Sequence, residues 1–516
     1  LRQTQSKDPD EVHAASILDR LAREFHETSH ASSRLSILSF DPPSLLLLGI
    51  RRRPGASVSR PRLAPAALAF AFLALPAFAQ DTRTVSEPIF PIACATLNAQ
   101  LSSPKGVFSD SDEAKLDTAR IQKAIDACKQ GQAVELAMGG TANAFLTGPL
   151  ELRTGVTLLL DKGVTLYGSR DPKIYENSPG SCGIVTQDNP HGCKPLISVL
   201  KAPHAAIMGD GILDGRGGAN LLGQSKSWWD LANDARDNRH QQVPRLIDIN
   251  KSDDFTLYRI TLKNSAMFHV VFAHGDGFTV WGLKIDTPKN ARNTDGVDPS
   301  ASKNITVTQS FIRTGDDNIA IKGGDGPVTH MSVSNNHFFY GHGMSIGSET
   351  NAGVSQVVVD HLTLDGTESG IRIKSNPTRG GLVDDITYKN ICIRDSNHPI
   401  QLETAYNNPG AKVDAFPVYK NIHVQNVVIA SSHTISLNGF DHDHRIAIQF
   451  DGVALDHPSD YKFQVKHADI TFGPGPVNFQ VPLQNSGGED STVAGKAPAA
   501  PLPTCTQRFV PFPTTP

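Results

Sequence analysis

From Phe255 onward the chain repeats itself, and that repeat limits its possible folds more than any other feature. FTLYRITLK from Phe255, FTVWGLKID from Phe278, ITVTQSFIR from Ile305 and MSVSNNHFF from Met331 align as one unit. VVVDHLTLD from Val357, ITYKNICIR from Ile386 and IHVQNVVIA from Ile422 continue the series. Successive starts lie 23, 27, 26, 26, 29 and 36 residues apart. In each unit apolar and polar residues alternate, a polar or glycine turn follows, and a second apolar run closes the unit. Alternation of period two is strand patterning, and strand units recurring every ~20–50 residues are the mark of a solenoid. The units are too long for hexapeptide repeats and lack the helix of leucine-rich repeats. They predict an all-β fold, a right-handed parallel β-helix with three or four short strands per coil. Val, Ile, Leu and Phe would stack inward, coil upon coil about 4.8 Å apart. Asn at the turns tolerates left-handed backbone.

An open solenoid end exposes unpaired strand edges and needs a cap. Residues 117–128 (DTARIQKAIDAC) can supply one. Asp117 or Thr118 is placed to cap a helix, with Ile121, Ala124, Ile125 and Cys128 on one face. Further upstream, Arg60 and Arg62 precede an apolar run from Leu63 to Leu75 that ends at Ala77-Phe78-Ala79. Basic, apolar and small-residue regions in that order read as a secretory signal, too short to span a membrane. The expected division is therefore 1–59, an upstream extension of unexplained origin and expected disorder; 60–79, the signal; 80–485, the β-helix; and 486–516, a loosely attached Pro/Thr/Ser-rich tail. Export, to the cell exterior or the periplasm, permits disulfides. Cys182 and Cys193 bracket a Gly/Pro/Asn-rich loop and form the expected local bridge; elimination leaves Cys94–Cys128 and Cys392–Cys505. The cysteine spacing fits no compact zinc pattern.

The formal net charge is -4. Residues 80–516 hold 38 basic and 45 acidic side chains, a net of -7. That balance argues against nucleic-acid or anionic-membrane binding, which needs a basic surface. An acidic polymer could bind only where a few cations are concentrated.

Stacking changes how sequence distance is read, because residues one coil apart become neighbours. Asp295 lies in NTD, Asp316 and Asp317 in GDD, His342 in GHG, and Arg372 and Lys374 in RIK. The steps Asp295 to Asp316, Asp317 to His342 and His342 to Arg372 are 21, 25 and 30 residues, each about one coil. Singly, an Asp in a turn is a turn former, a His between glycines is a loop residue, and Arg-x-Lys on a strand is a solvated face. In register they form a stripe of three carboxylates, an imidazole and two cations. Crowded carboxylates repel and raise one another's proton affinity, so they persist where they are used, metal-bound or neutralised. Glycosidic cleavage needs one carboxylic acid to protonate the leaving oxygen and one carboxylate to activate water or attack directly. Asp316 and Asp317 would face opposite ways in a regular strand, so a local bend is expected there. Arg372 and Lys374 should point one way and Ile373 into the core.

NTDGVDP, TGDDNIAIK, GHGMSIGSE and GIRIK, in this order and spacing, resemble the polygalacturonases of glycoside hydrolase family 28, the bacterial endo-acting members above all. The likeness runs from about residue 95 to 430 or beyond and includes GDGILDGRG at 209–217 and KNSAMFHV at 263–270. Ala266 departs from a proline frequent in the family. The resemblance implies inverting hydrolysis of α-1,4-galacturonosyl linkages in polygalacturonate, without metal or cofactor, by a monomer. It implies Asp316 as general acid, Asp295 and Asp317 on the water, and His342 tuning the acid. It also implies Arg372, Lys374 and Tyr406 as contacts to a substrate carboxylate, with Lys322 and Lys263 as candidate neighbouring cations. The competing readings are an exo-acting polygalacturonase, a rhamnogalacturonan hydrolase, a calcium-dependent pectate lyase and a non-catalytic β-helix adhesin.

Overall fold

The computed structural model describes residues 80–103, 106–188, 191–236, 239–407, 415–483 and 490–514. The expected signal and everything before it lie outside the described residues. The chain winds as a right-handed parallel β-helix. The repeat starts read from the sequence stack in one file: Phe255 pairs with Phe278, then Ile305, Met331, Val357, Ile386, Ile422 and finally Ile448. All are buried. Removing such side chains from water is the main force holding one coil to the next.

Four residues after each start the backbone turns through the left-handed region. Arg259, Gly282, Gln309, Asn335, His361, Asn390, Asn426 and Gly452 all have φ between 51° and 70°. This single-residue corner explains the polar or glycine turn in every unit. Asn and Gly adopt it at low cost, while Arg259, Gln309 and His361 are held there by the strands on either side.

A second parallel sheet forms another face of the coil. Its strands run Leu150–Glu151, Ile197–Leu200, Ile247–Asn250, Val270–Ala273, Val297–Ser300 and Ile319–Ile321. They continue through Met344–Ile346, Ser369–Lys374, His398–Glu403, Thr434–Asn438 and Lys462–Lys466. This face carries the stripe of charged residues.

The capping helix spans Thr118–Ala127, with Ile121 and Ile125 buried. Asp117 precedes it but does not cap it; its carboxylate accepts instead from Arg120 and from the Leu146 backbone, tying the helix to the first coils. Two short helices were not expected, Asp110–Glu113 and Trp228–Asp234. The second is set by a Ser227/Asp230 capping box and buries Trp228 edge-on to Tyr175. All three disulfides pair as read from the sequence, Cys94–Cys128, Cys182–Cys193 and Cys392–Cys505.

Residues 490–514 differ from the loose tail expected. Thr492–Ala494 adds a parallel strand to Ala468–Phe472, covering an edge the solenoid would leave open. Beyond Cys505, the Arg394 guanidinium lies 4.3 Å from the Phe509 ring centroid and that of Arg313 4.0 Å from the Phe512 centroid. Proline content misleads here because the segment gains its order from cation–π contacts and a crosslink to the coils, not from its own periodicity.

Candidate active site

Each stripe residue sits at or just before a strand of the second sheet. Asp295 precedes Val297–Ser300, Asp316 and Asp317 precede Ile319–Ile321, His342 precedes Met344–Ile346, and Arg372 and Lys374 lie within Ser369–Lys374. Register therefore brings together what the sequence spreads over 80 positions. Arg372 and Lys374 face outward to the site while Ile371 and Ile373 are buried in the core. Gly315 and Asp316 form the expected bend. A Cβ on Gly315 would fall 1.9 Å from the Ala291 carbonyl, so glycine is required where the aspartate pair turns. Thr314 Oγ1 donates to the Asp316 carbonyl at 2.7 Å, and the Asp317 backbone N–H donates to Asp316 Oδ1 at 2.9 Å. The first bond sets the backbone turn that carries both aspartates, and the second holds the Asp316 carboxylate.

The partners are ionic. Asp317 Oδ1 accepts from Ser345 Oγ at 2.7 Å and Arg372 Nη1 at 3.2 Å, and Oδ2 accepts from Lys374 Nζ at 2.9 Å. Asp316 Oδ1 lies 2.9 Å from His342 Nδ1, whose Nε2 lies 3.2 Å from Glu368 Oε2. Tyr406 lies over both cations, its ring centroid 5.0 Å from Lys374 Nζ and 5.3 Å from Arg372 Cζ. Asp295 is buried with Oδ1 lacking a hydrogen-bond partner among the described residues.

Burial acts on all three carboxylates, but their neighbours separate them. Burial, then the charges of Asp316 and Asp298, push Asp295 well above the usual carboxylate range. Burial would raise Asp316 too, yet the charge and hydrogen bond of His342, helped by Lys374 and Arg372, hold it well below that range. Asp317 is likewise opposed by burial and held down by Lys374 and Arg372. Burial would depress His342, but Asp316 and Glu368 push it up to about 10. Glu368 is held down to about 2, first by its hydrogen bond from His342. One site thus keeps a neutral carboxyl, two carboxylates and an imidazolium together, the kind of divergence that acid–base chemistry requires.

Sequence reasoning missed Glu368, Glu349, Arg379 and Phe268. Glu368 follows His342 by 26 residues, so the coil period that found the others would have found it. Lys322, named as a candidate cation, is at the site: its Nζ lies 3.6 Å from Glu349 Oε2 and 5.4 Å from the Phe268 ring centroid. Arg379 bonds Ser348 Oγ at 2.6 Å and the Glu349 carboxylate. Lys263 is not brought to the stripe; it lies on the other large sheet, 3.5 Å from Asp286. Asp316, Asp317 and His342 offer three possible ligand atoms within 4.8 Å of one another. A metal would need His342 deprotonated and would face Arg372 and Lys374, so this donor set favours the protein cations over an ion.

Fold and site together define a parallel β-helix hydrolase with a carboxylate cluster in a cationic cleft. The model of glycosyl hydrolases family 28 matches residues 128–473, and the chain belongs to that family. It is 44% identical over 398 residues to an endo-polygalacturonase of Pectobacterium parmentieri, covering 76% of this chain and 94% of that one. It is 36% identical to a polygalacturonase of Ralstonia solanacearum, covering 87% of this chain and 98% of that one. A solved polygalacturonase from Erwinia carotovora ssp. carotovora superposes with a TM-score of 0.70 at 42% identity, covering 76% of this chain and 99% of that one.

Proposed function

We propose that this chain hydrolyses α-1,4-galacturonosyl linkages within polygalacturonate, by direct displacement with water and inversion at the anomeric carbon. The observation that carries the reading is the Arg372–Lys374 pair under Tyr406: two buried cations, beside the reacting carboxylates, in a chain of net negative charge. Such a pair suits a uronate carboxylate, which the guanidinium can take bidentately. These cations neutralise Asp317. A substrate carboxylate drawing on them would raise the proton affinity of the aspartates, as the acid step requires.

In this reading Asp316 is the general acid. Asp316 and His342 share one proton across their 2.9 Å hydrogen bond, and its transfer to Oδ1 makes Asp316 neutral and able to protonate the glycosidic oxygen. Asp317, acceptor-only and held by three donors, takes the proton of the water, while Asp295, one coil earlier and held neutral, orients that water from the other side. Carboxylates on adjoining coils leave room for that water on the face opposite the leaving group, which supports inversion. Chain cleavage at internal bonds agrees with a site on the open side of a sheet that continues through several coils in both directions. The disulfides and the Arg60–Ala79 segment support action outside the cytoplasm. Digestion of polygalacturonate with sizing of early products is the test: mixed oligomers are expected. Monomer or dimer alone would overturn endo action, and an unsaturated, ultraviolet-absorbing product would overturn hydrolysis.

A further inference from the structure

Beyond the catalytic coil the cleft sheet continues with a file of side chains whose charge changes at each step. Lys374 pairs in register with Glu403, Glu403 with Asn438, and Asn438 with Lys466. The last three line a cavity of about 440 Å³, with Phe440 as an apolar wall. Glu403 is fixed as an acceptor: Oε1 takes the Ala405 N–H and Oε2 takes Asn438 Nδ2, both at 3.0 Å. Glu403 pairs in register with Lys374 and lies three residues before Tyr406, so the cavity begins one coil from the site. Lys466 is exposed and has no ion-pair partner among the described residues. Each step of the file is one coil, about 4.8 Å, comparable to the length of one pyranose unit.

We propose that this file is a set of distal subsites that read charge along the polymer. It admits a methyl-esterified galacturonosyl unit opposite Glu403 and a free galacturonate carboxylate opposite Lys466. The inference rests on polygalacturonate being the substrate. A free uronate opposite Glu403 sets two like charges against each other, and esterification removes that repulsion while the ring keeps the wall of Phe440. Further on, Lys466 and Asn438 offer donors to a carboxylate. Specificity of this kind comes from a repulsive element as much as an attractive one.

The test compares kcat/KM of the full chain, Glu403→Gln and Lys466→Gln on polygalacturonate, on the same polymer partly methyl-esterified, and on a short oligogalacturonate ending before the Lys466 coil. Glu403→Gln is expected to raise kcat/KM on polygalacturonate about two- to fivefold and to leave the partly esterified polymer unchanged. Lys466→Gln is expected to lower kcat/KM on polygalacturonate by a similar factor and to leave the short oligomer unaffected. Equal effects of either variant on all three substrates, or no effect, overturn the subsites while leaving the hydrolase reading intact. Failure of the unaltered chain to cleave any of the three overturns both.

Discussion

Ile371 and Ile373 alternate with Arg372 and Lys374 in one strand, and the two rows they belong to obey opposite rules. The interior rows are uniform. From Phe255 to Ile448 each coil contributes an apolar, buried side chain at the same place, and its neighbours above and below are of the same kind. The cleft rows change at every step: Ser345, Arg372, Gln401, Ser436 and Gln464 follow one another in one file, Lys374, Glu403, Asn438 and Lys466 in the next. Repetition stabilises a solenoid because each coil buries its neighbour's apolar face. Chemistry needs the reverse, unlike groups stacked so that each shifts the next. Asp295, Asp316 and Asp317 are alike in burial and differ in protonation because His342, Arg372 and Lys374 are unevenly shared among them.

That contrast predicts losses of different kinds. Asp316→Asn removes the carboxylate proposed to take the His342 proton and deliver it, and reducing-end release from polygalacturonate should fall about 100- to 10,000-fold. Circular dichroism and the melting temperature should stay near those of the unaltered chain; retained activity would break the assignment of acid to this position. Lys374→Met leaves Asp317 with Arg372 and Ser345, and removes one arm of the proposed substrate clamp. A loss of about 100-fold in kcat/KM is expected, from a truncated buried ion pair. On the interior side, Ile386→Ala should cost about 3 kcal/mol of stability, seen in denaturant melts. The kcat/KM of the molecules that remain folded should not change, and a selective loss of kcat would show that the two rows are coupled.

The fold was legible because the interior is repetitive: the seven aligned starts turned out to be seven consecutive positions in one stacked file. Asp295, Asp316, Asp317, His342, Arg372 and Lys374 were legible because each falls about one coil from the next. Tyr406 was placed through the family resemblance, and its ring does lie over the two cations. The order of residues 490–514 was not legible, since Phe509 and Phe512 dock on Arg394 and Arg313 far away in sequence. Nor was the distribution of charge. Crowding of carboxylates showed that one of the three would be held neutral, but which one depends on where Asp298 and His342 project. Glu349 and Arg379 escaped notice because their ion pair joins two loops, beyond the strands Met344–Ile346 and Ser369–Lys374, where no apolar alternation marks the coil.

Glu368 offers the finest division between the rows, because it meets no reacting atom in this geometry and acts through His342. His342 has its proton affinity raised from an ordinary 6.5 to about 10, so its ion pairs contribute stability that is full below about pH 6.5 and is lost as pH rises through about 10. Glu368→Gln keeps an acceptor near Nε2 but removes its charge. The imidazolium then loses one of two supports, and the alkaline limb of kcat/KM should move toward neutral by about one pH unit, the free-enzyme profile reporting it directly. The acid limb should stay in place, since the Asp317 carboxylate, opposed by burial, is held ionised by Lys374 and Arg372 and not by Glu368. A loss of activity uniform across pH would make Glu368 a structural support of the turn. An alkaline limb that moves, with the His342 proton resonance titrating in step, makes it the positioning residue of the acid pair.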